Sequence, residues 1–116
     1  MTKYLVPMLA LLMTVPGFGW TAEDAASRIE QGKELTFTRA KGNCLACHVI
    51  AGGELAGNFG PPLVMMKARY PDRKQLRAQI WDASVRVETT TMPPFGRHKI
   101  LTEEEIDLVV DFILTL

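Results

Sequence analysis

The chain has 116 residues, room for one small domain. Its 13 Lys and Arg balance its 13 Asp and Glu, so nothing marks it as a strongly basic nucleic-acid binder, and only a local patch is left open. Both of its cysteines fall in one short motif. In chain order, Lys3, the apolar run Leu5–Met13 and the break at Pro16-Gly17-Phe18-Gly19 read as a secretory signal peptide over residues 1–22, with cleavage somewhere in 19–22. The alternative is an uncleaved anchor, for which the apolar run is short. Cleavage leaves a domain of residues 23–116 with no membrane segment, holding twelve basic and thirteen acidic residues.

Thr21 is a candidate helix cap, and Glu23 and Asp24 crowd the first turn, where the helix dipole favours acidic groups. The pattern predicts a helix from Ala22 to about Phe37. Gly32 weakens that helix unless a second helix needs the missing side chain.

Next comes Cys44-Leu45-Ala46-Cys47-His48, the pattern of c-type haem attachment. Each thiol adds across one haem vinyl group, and the adjacent imidazole sits under the iron. Zinc would want four ligands, and a thioredoxin-type CxxC would open a helix in a βαβ pattern that this chain lacks. The cofactor read from the motif is therefore one covalently bound haem c. Export agrees, because such haem is generally attached outside the cytoplasm. Haem would also supply apolar core that a domain this small lacks.

Residues 49–62 carry four glycines and two prolines and read as a loop. A loop that long needs something to hold it, and a haem edge would serve. Residues 63–70 suggest a short helix stopped by Pro71. Asp72 and Gln75 suggest a capping box for a helix from Arg73 to about Ser84, with Leu76, Ile80 and Ala83 on one face and Trp81 beside them. The Trp81 indole N–H needs a partner if buried, and a haem propionate is a candidate. Residues 85–97 read as irregular, with Pro93 and Pro94 precluding helix. Thr102 and Glu105 form a second capping-box pattern. The last helix carries Ile106, Val109, Val110 and Ile113 as its stripe, widened by Leu108 and Phe112. The fold class is all-α, with three to four short helices and long loops.

A six-coordinate haem needs a second axial ligand, and Met65, Met66, Met92 and His98 are the candidates. Met65 and Met66 fall on a predicted helix, where methionine is commonly core filler. His98 lies between Arg97 and Lys99 in a polar setting. Class I cytochromes c carry their methionine on a loop before the last helix, and Met92 is similar in placement, with Pro93-Pro94 stiffening the chain behind it. Methionine–histidine ligation raises the reduction potential and closes both axial positions.

The stretches Gly42–His48, Gly52–Gly57, Gly60–Leu63, Tyr70–Arg73, Leu76–Ala83, Met92–His98 and Leu101–Ile106 together resemble the SoxX family, the small monohaem subunits of SoxAX complexes in sulfur-oxidising bacteria. The resemblance implies a class I cytochrome c fold, a periplasmic location and a heterodimer with SoxA. It implies an electron-transfer role in L-cysteine S-thiosulfotransferase, which joins thiosulfate oxidatively to a cysteine of the carrier SoxYZ. Electrons would leave to a soluble cytochrome c. Cys44 and Cys47 would be the thioether links, His48 the proximal ligand and Met92 the distal one. Pro61 would offer its carbonyl to His48, and Gly32 and Phe37 would mark where the first helix crosses the last near Phe112. Once haem is attached no cysteine is left to accept sulfur, so the sulfur chemistry would fall to SoxA. Two other readings compete: a free-standing periplasmic monohaem electron shuttle, and a haem enzyme or gas sensor with an open distal position.

Overall fold

The computed structural model describes residues 19–116, so the signal-peptide features at Lys3, Leu5–Met13 and Pro16-Gly17-Phe18 lie outside the described residues. Four α-helices follow in order: α1 (Ala22–Phe37), α2 (Met66–Arg69), α3 (Arg73–Trp81) and α4 (Glu103–Ile113). Two 3-10 turns, Cys44–Ala46 and Ala83–Val85, complete the regular structure, and no strand occurs among the described residues.

Helix α1 starts where the sequence predicts because Thr21 and Asp24 cap it reciprocally. Asp24 N–H donates to Thr21 Oγ1 (3.1 Å), and Thr21 N–H donates to Asp24 Oδ2 (3.0 Å). Helix α4 opens the same way. Glu105 N–H donates to Thr102 Oγ1 (3.1 Å) and Thr102 N–H to Glu105 Oε2 (2.9 Å). Three acidic residues occupy its positive end.

These two helices pack on each other, and Gly32 permits the close approach. A Cβ at residue 32 would overlap the Leu108 carbonyl and stand 3.0 Å from Phe112 Cβ. One turn further along, the Phe37 and Phe112 rings meet at 6.2 Å between centroids, tilted by 59°. Thr36 is fully buried beside the crossing, and its hydroxyl donates to the Gly32 carbonyl (2.7 Å). On α4, Ile106, Leu108, Val109, Val110, Phe112 and Ile113 are all buried, so the helix has apolar neighbours on more than one side. Leu76 and Ile80 of α3 join it, with Ile50, Leu63, Met66, Phe95 and Leu101 from the connections. Each such side chain contributes about 1.5–3 kcal/mol of burial.

The outer edge of the α3–α4 contact is charged. Arg73 donates to Asp107 and Asp111 (3.0 and 2.8 Å), Arg77 to Asp107 (3.0 Å) and to Glu103, and Arg28 of α1 to Asp111 (2.8 Å). The acidic residues stand four apart on α4 and the two arginines four apart on α3, so the rows face each other like teeth.

Two predicted helices are shorter in the structure. The helix expected over 63–70 is only Met66–Arg69. Met66 gives its N–H to Leu116 O (2.9 Å), a donor that a helix begun at Leu63 would turn back on residue 62, and Leu63 gives its own to Val49 O (2.9 Å). Met65 adopts a left-handed conformation, φ 52°, ahead of the first turn. It is 71% exposed while Met66 is 2% exposed, so only Met66 is core filler. Helix α3 stops at Trp81 and not near Ser84, because Asp82 is extended and its carboxylate captures the Ser84 N–H and hydroxyl (3.1 and 2.6 Å). Asp72 caps α3 through Lys74 N–H (2.9 Å), without the reciprocal bond expected from Gln75.

Candidate haem site

The motif sits on a tight turn just after α1. Asn43 is left-handed, φ 47°, a conformation that asparagine tolerates better than most residues. Cys47 N–H and His48 N–H both donate to Cys44 O (3.1 and 2.9 Å), which closes the turn and brings both thiols and the imidazole to one short stretch. Lys41, just before it, pairs with Glu105 (2.7 Å) and ties the approach to the start of α4.

The chain after the motif folds back along it. Gly57 N–H donates to Leu45 O (2.9 Å), Gly60 N–H to Cys47 O (2.8 Å) and Leu63 N–H to Val49 O (2.9 Å). The long loop that the sequence left in need of a haem edge is thus held by backbone bonds to the motif itself. Two of its glycines are required by the contact. A Cβ at residue 57 would overlap the Ala46 carbonyl, and one at residue 60 would overlap the His48 ring.

Beyond Gly60, the Pro61 carbonyl lies 2.6 Å from His48 Nδ1. A carbonyl only accepts, so Nδ1 carries the proton, and in the neutral ring the lone pair is on Nε2. The ring is thus turned with its tautomer fixed, an orientation in which Nε2 could serve as a metal ligand. Cys44 and Cys47 are both free thiols. Burial pushes the Cys44 thiol up to about 11, the opposite of what a redox-active CxxC cysteine needs. Nor do three or more His, Cys, Asp or Glu side chains gather into a metal cluster among the described residues, whereas structural zinc takes four donors. Two unpaired thiols one turn apart, followed by an imidazole with a free Nε2, are a donor set that fits a covalently attached haem.

Among the candidates for a second ligand, Met92 is half-buried and packs against the same apolar cluster as Cys44. His98 is exposed, with its N–H given to Pro94 O (2.9 Å). Trp81, considered as a propionate donor, instead gives its indole N–H to Glu103 Oε1 (3.0 Å). Gly60 and Glu103 escaped the sequence reading as functional contacts. Gly60 follows from its place beside Pro61, and Glu103 from its i,i+4 spacing to Asp107.

The cytochrome c family profile matches residues 29–116. The chain belongs to the cytochrome c family, its helical architecture is the class I cytochrome c fold, and haem c is the cofactor that this family indicates. Within the family it is a SoxX-like cytochrome. It is similar to a chain of the crystal structure of SoxXA from P. pantotrophus, with a TM-score of 0.67 and 31% identity, over 74% of this chain and 79% of that one. It is also 38% identical over 74 residues to an uncharacterized lipoprotein of Aquifex aeolicus (strain VF5). That match covers 63% of this chain, which spans only about a third of the relative's length, 36%.

Proposed function

We propose that this chain is the monohaem electron-transfer subunit of a SoxAX-type complex, in which Cys44 and Cys47 bond the haem and His48 and Met92 ligate its iron. The observation that carries the reading is the His48 imidazole, turned by the Pro61 carbonyl and seated on Gly60, directly behind two unpaired thiols. The 31% identity to a SoxXA chain supports the choice of complex. When bound, haem c would supply one-electron exchange.

The protein's own residues hold that centre. Pro61 fixes the proton on His48 Nδ1, and Gly60 leaves the ring the room it occupies. Pro93 and Pro94 reduce the freedom of the segment that carries Met92. Cys44 and Cys47 are the sole cysteines of these 116 residues. With both bonded to haem, no thiol accepts sulfur, and the joining of thiosulfate to the SoxYZ carrier cysteine falls to SoxA. The electrons released pass through this subunit to a soluble cytochrome c. Residues 1–22 act as the export signal and residues 23–116 as the periplasmic cytochrome domain. The lipoprotein name of the Aquifex relative supports a place outside the cytoplasm.

The test is reconstitution. The haem-loaded chain alone should leave thiosulfate and SoxYZ unreacted, and the same chain with SoxA should conjugate them and co-elute as a heterodimer. Conjugation by the chain alone would overturn the assignment of chemistry, and a persistent monomer beside SoxA would leave a free-standing shuttle. Carbon monoxide binding by the parent protein would indicate an open distal position.

A further inference from the structure

The segment bearing Met92 has no regular structure from Arg86 to Leu101, yet it ends in a compact knot. His98 N–H donates to Pro94 O (2.9 Å), Lys99 N–H to Gly96 O (2.9 Å), and Ile100 and Leu101 N–H both to Phe95 O (2.9 and 3.1 Å). Phe95 and Leu101 anchor this knot in the core. It is then fastened to the end of α3. Gly96 N–H donates to Trp81 O (3.0 Å), and a Cβ at residue 96 would overlap the Trp81 indole, so the knot lies flush on that ring. The indole is in turn held by Glu103 at the start of α4.

One side-chain bond completes the fastening. Arg97 Nε donates to Asp82 Oδ2 at 2.6 Å. The Asp82 side chain is only 8% exposed, and its other oxygen takes both Ser84 donors. Asp82 therefore ends α3, starts the following 3-10 turn and grips the knot at once. Arg97 is five residues from Met92, and two of the intervening residues are the prolines 93 and 94, which transmit position with little slack.

We propose that Asp82 is a positioning residue for Met92: through Arg97 it locks the 94–101 knot onto Trp81 and so resists displacement of the methionine sulfur from iron. This rests on the reading of Met92 as the distal ligand. A buried carboxylate bonded to a guanidinium is among the stronger single hydrogen bonds a protein makes, and its removal makes opening of the loop about tenfold easier.

The experiment uses the haem-loaded full chain in the ferric state. Added imidazole competes for the distal position, and loss of the methionine–iron charge-transfer band reports its binding. Asp82→Asn and Arg97→Ala should each bind imidazole about tenfold more tightly than the parent. Arg97→Lys, which keeps the charge, should recover part of the difference. Arg97 is 51% exposed, so its variants fold even where Asp82→Asn does not. Arg28→Ala removes an ion pair of α1 with α4 and serves as the control, because it should lower the melting temperature without changing imidazole affinity. Parent-like imidazole affinity in Asp82→Asn and Arg97→Ala, with the band intact, overturns the positioning role and leaves Met92 ligation standing. A parent without the band overturns Met92 ligation itself, and the positioning role with it.

Discussion

The α1–α4 crossing and the motif loop are both built on glycines, but for different reasons. At the crossing, Gly32 lets one helix sit against another, amid buried apolar side chains and the satisfied hydroxyl of Thr36. In the motif loop, Gly57 and Gly60 let backbone and imidazole sit against each other. Ile50 there is buried, but Leu55 and Phe59 are largely exposed. The crossing is completed by the chain's own side chains. The loop is shaped by backbone bonds and a single aimed ring, and its apolar surface suits a flat apolar partner such as haem. Damage to the first should appear as lost stability, and damage to the second as lost chemistry in a folded protein.

The largest effect should come from Cys44→Ser combined with Cys47→Ser. Covalent haem should be lost completely, read as haem stain absent after denaturing electrophoresis. Retention of bound haem there would remove the two thiols from their role. Gly32→Val tests the other region, since its added atoms meet the Leu108 carbonyl and Phe112. Overpacking of this kind costs about 2–3 kcal/mol, measurable by denaturant unfolding. Gly60→Ala sharpens the contrast, because a Cβ there displaces the His48 ring. It should change the haem absorption spectrum while far-ultraviolet circular dichroism stays that of the parent.

How far these regions were legible in the sequence follows the same division. The start of α1 was readable because Thr21 caps it locally, whereas its apolar residues make no clean stripe to mark its end, and Thr102 with Glu105 made the start of α4 plain. Gly32, Phe37 and Phe112 were brought together by likeness to the class, and the structure places them in contact. The end of α3 was not legible. Ala83 continues the helical apolar pattern, and only the side-chain bonds of Asp82 to Ser84 override it. Likewise Met65 reads as helical until the backbone bonds of Leu63 to Val49 and Met66 to Leu116 are known. Such bonds join distant residues and leave no periodic trace. The stacking of Gly60 on His48 is hidden for the same reason.

Smaller effects refine the helical side of the comparison. Thr102→Ala removes the cap of α4 and should cost about 1 kcal/mol in the same unfolding assay. Smaller still is the contribution of the charged teeth. Hydrogen bonds from Arg77 and then Trp81 hold Glu103 below its ordinary 4.5. Burial raises Asp107, but hydrogen bonds from Arg73 and Arg77 outweigh it and bring it below 3.8. Groups whose folded values are depressed stabilise above the unfolded values and lose that contribution as pH falls through the folded ones. The melting temperature should therefore be level near neutrality and decline below about pH 4.5. Asp107→Asn should flatten that decline by about 0.5 kcal/mol, a modest figure because the pairs are partly exposed to solvent. An unchanged acid profile would show that these pairs contribute nothing measurable.

The buried thiol of Cys44 bears on the life of the chain before its cofactor arrives. Thiol–disulfide exchange proceeds through the thiolate, and a thiol moved from 9.0 to about 11 offers about a hundredfold fewer thiolates at neutral pH. The rarer thiolate is also the more nucleophilic one, so attack by Cys44 on an oxidised Cys47 is slowed by less than that, about tenfold. The same burial that seats the sulfur in the fold thus slows closure of the pair into a disulfide.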